Sequence, residues 1–310
     1  MEAERETLDS EKMIGNIPKF SVLIASYQSG EKFYQALESV KNQQFYDFEI
    51  VVCDDGSEQF DEERVKAFAE NRTIKIIRHK TNLGTVRNLN DGFLSCAGEW
   101  VLLLAADDIL AGNDVLSKIS EQAVKTKREW LLGTALECNE SFRPTGQVIP
   151  SKVQMELLKK GSVQEIWGCL CQECFIPSGG AIYRRELLLR FGGFDTHYRL
   201  VEDWPFFLKL VRTRNLPEIL DGPVILHRSG GVSQRAAKHN QSYQRDLVET
   251  MHKEILPYLN ILPISERKGI EMLCRDKEEI YQLRFETVGL RSKTRWFLTH
   301  PGTIIRKITR

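Results

Sequence analysis

The sequence predicts an α/β fold built on a mainly parallel sheet, and three observations lead there. Four short apolar runs recur along the first third of the chain, stretches of helical apolar spacing separate them, and polar residues follow the runs. The runs are Ser21 to Ala25, Ile50 to Cys53, Ile74 to Ile77 and Val101 to Leu104. Each is too short for a helix and reads as a buried parallel strand. Between the first two, Phe33, Ala36, Leu37 and Val40 fall on one helical face; between the last two, Val86, Leu89, Phe93, Leu94 and Ala97 do the same. Successive strand, helix, strand units close into a parallel sheet through right-handed crossovers, with helices on both faces. That is a nucleotide-binding type of architecture.

Later elements are less regular. Pro177-Ser178-Gly179-Gly180, Gly192-Gly193 and Gly222-Pro223 mark turns. A helix is predicted from about Glu202 to Arg212, with Phe206, Phe207 and Leu210 on its apolar face, and further helices from about Asn240 onward. Residues 1–16 carry five acids against two bases and few apolar anchors, which predicts a loose arm.

Composition narrows the function classes. The 310 residues contain 43 Lys and Arg against 43 Asp and Glu, so no global charge draws the chain to nucleic acid. The longest apolar run, Trp100 to Ala106, is far too short to cross a bilayer, and the start of the chain lacks a secretory signal's apolar core. A cytoplasmic protein is expected. Seven irregularly spaced cysteines fit reduced thiols there, and Cys169, Cys171 and Cys174 read as buried or idle thiols, since a fourth zinc ligand is not evident nearby.

In parallel sheets ligands collect beyond the carboxyl ends of the strands. Here those positions hold Ser26-Tyr27-Gln28, Asp54-Asp55-Gly56-Ser57 and Asp107-Asp108, so three edges converge on one crevice and two of them bring carboxylates. Taken singly, Asp-Gly-Ser also makes a turn and Asp108 a helix cap.

Together these segments resemble a family 2 glycosyltransferase, over roughly residues 19 to 235. The resemblance runs through Ser21 to Gln28, Leu37 to Gln43, Phe48 to Ser57, Asn82-Leu83-Gly84 with Arg87-Asn88, Ala97 to Trp100, Leu104 to Asp108, Gly192 to Asp195 and Glu202-Asp203, in family order. It implies a GT-A type, Rossmann-like mixed sheet, mainly parallel and flanked by helices. A GT-A domain is expected over 17–235, with a nucleotide-binding half at 17–110 and an acceptor-binding half at 111–235. A helical C-terminal extension with a basic tail then covers 236–310.

The same resemblance implies the chemistry. A nucleotide-sugar donor, UDP-linked by preference, gains negative charge on its diphosphate as the sugar leaves, and a divalent cation, Mn²⁺ or Mg²⁺, can offset that charge. Donor contacts are expected from Ala25, Ser26, Tyr27, Asp54, Asp55, Arg87, Ala106 and Asp107, with Asp54 accepting an N–H of the base. Arg87 reads equally well as a surface ion pair. Asp107 matches the last residue of the family's Asp-x-Asp metal motif; its first position is Ala105 here, leaving Asp108 and His227 as further candidate ligands, though His227 reads equally as a structural histidine. Asp203 matches the general base of an inverting transfer and Glu202 a partner that orients it or the acceptor; the two acids could also simply open a helix. The expected acceptor is a hydroxyl of a glycan or lipid-linked saccharide, in assembly of a bacterial surface polysaccharide. The basic, aromatic-bearing stretch 291–310 would suit peripheral contact with an anionic membrane. Ala105 also keeps open a non-catalytic nucleotide-sugar binder or partner subunit. Gly230 to Ser233 is a candidate mobile loop over the donor.

Overall fold

The computed structural model describes residues 18–69, 72–228 and 239–285. The expected arm, the Gly230 to Ser233 loop and the basic tail lie outside the described residues. The four apolar runs form β1 (Phe20–Ser26), β2 (Phe48–Asp54), β3 (Ile74–Arg78) and β4 (Trp100–Ala105), joined by α1 (Glu31–Lys41), α2 (Glu62–Ala69) and α3 (Thr85–Leu94). All pairings among these four strands are parallel, in the order β3-β2-β1-β4. β1, in the middle, is buried along almost its whole length, as expected where helices cover both faces.

The second half of the chain makes the sheet mixed. β5 (Ile109–Leu110) and α4 (Val115–Lys125) lead to β6 (Trp130–Cys138), which turns back into the exposed β7 (Pro144–Ile149). α5 (Lys152–Lys160) and α6 (Val163–Gln172) each begin with a capping box, at Ser151 and Ser162, so their starts are encoded locally. A 3₁₀ turn, Ser178–Gly180, feeds β8 (Ala181–Arg184), which is antiparallel to both β4 and β6. After α7 (Arg185–Phe191) and α8 (Asp203–Arg212), β9 (Glu218–Arg228) runs parallel to β6 and pairs with β5. The nine strands thus follow the order β3-β2-β1-β4-β8-β6-β9-β5, with β7 beside β6.

Two consequences position the site. β8 reverses direction between β4 and β6, so the carboxyl ends of β1, β2, β4, β6 and β9 and the start of β8 share one edge. Two apolar layers, one on each face, hold the sheet; one includes Trp130, Trp167, Tyr183 and Phe207, the other Trp100, Phe33, Leu37 and Leu116. α9 (Gln241–Thr250), a π turn over Met251–Ile255, a 3₁₀ segment over Leu256–Ile261 and α10 (Ile264–Phe285) complete the described chain, with Met251, Ile255 and Ile270 in the first of those layers.

Candidate active site

The β1 and β2 ends are tied together. Asp55 N–H donates to Ser26 O at 2.8 Å, and Gln28 N–H to Ser57 Oγ at 2.8 Å. Asp54 is wholly buried and accepts from Ser57 N–H at 2.9 Å and Ser57 Oγ at 2.6 Å, so its carboxylate holds the turn that the sequence suggested as one of its roles. Asp55, also buried, accepts from the N–H groups of Leu83 and Gly84 at 2.7 and 2.9 Å. Tyr27 stands half exposed above this rim, and Ala106 N–H donates to Ala25 O at 3.0 Å, bringing the β4 end alongside. Arg87, one turn into α3, is exposed and has no ion-pair partner among the described residues.

Beyond β4 the chain enters β5, whose antiparallel register pairs Ile109 with Leu226. That register brings Asp108 opposite His227. Asp108 lies 3.1 Å from His227 Nδ1 and accepts the Arg228 N–H at 3.0 Å. The Asp108 hydrogen bond raises the His227 pKa, and burial only partly opposes it. Asp107 differs: no side-chain donor reaches it among the described residues, and burial first, then the Asp108 charge, push its carboxyl upward. His227 and Lys32 supply its nearest opposing positive charge. Arg228 is buried, donates through Nη2 to Gln35 Oε1 at 2.7 Å, and leaves Nε without a partner among the described residues.

The acidic pair Glu202 and Asp203 opens α8. Pro205 falls in that helix's first turn, where its missing N–H removes no helical bond. Ser178, just ahead of β8, donates to Glu202 Oε1 at 3.0 Å, and the neighbouring Gly179 lies beside β4, where an added Cβ would stand in ordinary contact, 3.6 Å, with the Leu103 carbonyl. The acids therefore join the edge that carries Asp107. Asp203 accepts from Trp204 N–H at 2.7 Å and faces the Cys174 thiol, with Sγ 3.9 Å from Oδ2. Burial raises both carboxyls; the adjacent Asp203 charge adds to the rise at Glu202, which reaches about 8. A helix N-terminus favours carboxylate charge, so here desolvation outweighs the dipole.

Ser178, Cys174, Lys32 and Arg228 are site residues that sequence reasoning missed. Pro-Ser-Gly-Gly carries a signal, though it reads first as a turn; Lys32 and Arg228 sit in otherwise ordinary stretches, and Arg228 meets Asp108 through the β5 to β9 pairing while Lys32 comes near Asp107 because α1 packs against β5.

Asp107, raised by burial and by the Asp108 charge, is an oxygen donor of the kind a divalent ion takes. Among the described residues no group of three or more His, Cys, Asp or Glu could hold one alone, so donor phosphate oxygens would have to complete its shell.

A mixed, mainly parallel sheet with acids gathered along its carboxyl edge defines a GT-A type sugar transferase, and the comparisons with known proteins agree. The family model described as Glycosyl transferase family 2 matches residues 21–191, over half of the chain, and the protein belongs to that family. It is a glycosyltransferase. A Mycobacterium bovis protein named as a PGL/p-HBAD biosynthesis glycosyltransferase is 25% identical over 258 residues, covering 83% of this chain and 88% of its own. An uncharacterized glycosyltransferase of Haemophilus influenzae is 24% identical over 272 residues, covering 81% and 77%. Among solved structures, S. aureus TarS with UDP-GlcNAc superposes with a TM-score of 0.61 at 19% identity, over 90% of this chain and 78% of that one. The mannosyltransferase PcManGT of Pyrobaculum calidifontis, with GDP-Man and Mn²⁺, superposes with a TM-score of 0.57 at 15% identity, over 94% and 81%.

Proposed function

We propose that the protein is an inverting transferase that moves a sugar from a nucleoside diphosphate donor, UDP-linked by preference, to a hydroxyl of a glycan or lipid-linked saccharide in bacterial surface polysaccharide assembly. The observation that carries this reading is the half-buried Glu202–Asp203 pair at the start of α8, tied through Ser178 to the edge that bears Asp107. For inversion, a carboxylate must take the acceptor proton as the hydroxyl attacks the anomeric carbon opposite the leaving diphosphate. Asp203 serves as that base. Burial raises the basicity of both carboxyls, which suits a base, and the Asp203 charge beside Glu202 adds to the rise there.

On the donor side, Ser26 and Tyr27 with Ala25 and Ala106 form the rim, and the exposed Tyr27 ring offers a face for a base. Asp54 can accept a base N–H because each carboxylate oxygen takes two bonds, but its burial requires the Ser57 turn to open first. Asp55 shapes the rim from beneath by holding Leu83 and Gly84, and Arg87 reaches the nucleotide from α3. Asp107, with Asp108 and His227 behind it, would hold Mn²⁺ or Mg²⁺ against the diphosphate; the ion supplies stabilisation of the leaving group's charge. Lys32, paired with Glu140 at 3.1 Å, adds positive charge near Asp107. The tail at 291–310 supports peripheral attachment to an anionic membrane surface on the cytoplasmic side.

One experiment tests the core of this reading. A thermal-shift screen of UDP-, GDP- and dTDP-sugars with and without Mn²⁺ should single out a UDP-sugar, because a ligand at 100 times its Kd stabilises the native state by about 2.7 kcal/mol. With that donor, Asp203→Asn should abolish transfer and leave the thermal shift intact. A variant that keeps its rate, or a shift lost together with activity, would contradict Asp203 as the base.

A further inference from the structure

The acids of α8 follow a loop whose anchor lies in a separate part of the chain. Asp246, on α9 and 4% exposed, accepts three successive backbone N–H groups at a single oxygen: Arg199 at 2.8 Å, Leu200 at 2.6 Å and Val201 at 3.2 Å. Successive N–H groups pointing at one spot form a concavity that favours an anion, and here the protein supplies that anion itself. The chain then passes directly into Glu202 and Asp203.

The same loop also touches the donor side. Arg199 O accepts Val86 N–H of α3 at 3.2 Å, and Arg199 Nη2 donates to Asn82 Oδ1 at 2.6 Å. Asn82 adjoins Leu83 and Gly84, whose N–H groups Asp55 holds. One loop of three residues therefore spans from the rim below the donor to the acidic pair, and Asp246 is the charge that holds its N–H groups. Arg199 itself is exposed, so burial of its side chain does not fix the loop. α9 approaches the pair a second time through Tyr243, whose phenol is affected by the charges of Asp203 and Glu202.

We infer that Asp246 is a positioning residue for sugar transfer: by gathering the N–H groups of residues 199–201 it sets where Asp203 stands relative to a bound donor. The inference rests on the reading of Asp203 as base. It lies outside residues 21–191, the stretch matched by the family model, and no motif in the sequence marks it.

Asp246→Asn keeps the shape and removes the charge that three converging donors require, whereas Asp246→Glu keeps the charge and displaces it by a methylene. Small misplacement of a catalytic group can cost about 10²-fold in rate, so both variants should lose about tenfold or more in kcat while donor KM and donor Kd stay within about twofold of the wild type. An unchanged kcat in both would overturn the inference. So would a parallel loss of donor affinity, or failure of both to fold, since either would make Asp246 a residue of general structure. Asp203→Asn is assayed alongside. If it is inactive while the Asp246 variants keep full rate, the base stands and the positioning role falls; if it remains active, the base reading fails and takes this inference with it.

Discussion

At the scale of single residues, the site rests on carboxylates with different surroundings. Asp54, Asp55 and Asp246 have their oxygens occupied by N–H or O–H donors and act as braces. Asp107, Glu202 and Asp203 are held in poorly solvated surroundings without enough donors, and their basicity rises. The contrast yields a stability prediction. Burial, and then the Asp203 charge, raise the Glu202 carboxyl from its ordinary 4.5 to about 8, so between those values the native state holds a proton that the unfolded chain has released. Stability contributed by Glu202 is complete below 4.5 and declines as pH rises towards 8, with a slope of at most about 1.4 kcal/mol per pH unit for one proton. Glu202→Gln should flatten that decline, which urea denaturation at several pH values between 5 and 8 would reveal; an unaltered slope would show that Glu202 is not the group responsible. The acids after β2 and β4 were legible in the sequence because they follow apolar runs. Their division into braces and basic groups was not, because it depends on neighbours such as Ser57 and Ser178 that only folding supplies.

At the scale of elements, β1 to β4, α1, α3 and α8 followed from apolar spacing, whereas β5 did not. Two residues are too few to carry a period, and β5 forms because β9 offers it a partner. That short pairing is what confronts Asp108 with His227. The turn before α3 is similarly dependent on tertiary contact. Gly84 has φ +95°, and an added Cβ would meet Arg199 Cγ and the Arg199 carbonyl oxygen, each at 2.6 Å. Gly84→Ala should therefore destabilise the protein by about 3 kcal/mol, combining a disfavoured backbone angle with overpacking. It should also slow transfer, since it pushes on the loop that leads to Asp203. Denaturant midpoints and steady-state rates check both effects, and a fully stable Gly84→Ala protein would refute the close approach.

At the scale of the whole molecule, equal numbers of acidic and basic residues leave no net charge, so any attraction to an anionic surface must be local. Residues 291–310 hold six bases and no acid, with Trp296 and Phe297 between them. Among the described residues no helix is long and apolar enough to cross a membrane. The 310-residue chain should thus sediment with vesicles containing phosphatidylserine at low salt and release as salt rises, and replacing the six bases by Gln should abolish this. Equal sedimentation of both proteins would remove the tail from the proposal. What the sequence by itself determined was the parallel half of the sheet and the acids at its edge, because strand burial and the residues beyond each strand are local in the chain. Only the tertiary structure decided that Glu202 and Asp203 adjoin that edge through Ser178, that Asp108 engages His227, and that Asp246 braces the loop before the acidic pair. Those contacts join residues 24, 119 and about 45 positions apart, and no local pattern of apolar spacing specifies pairing over such separations.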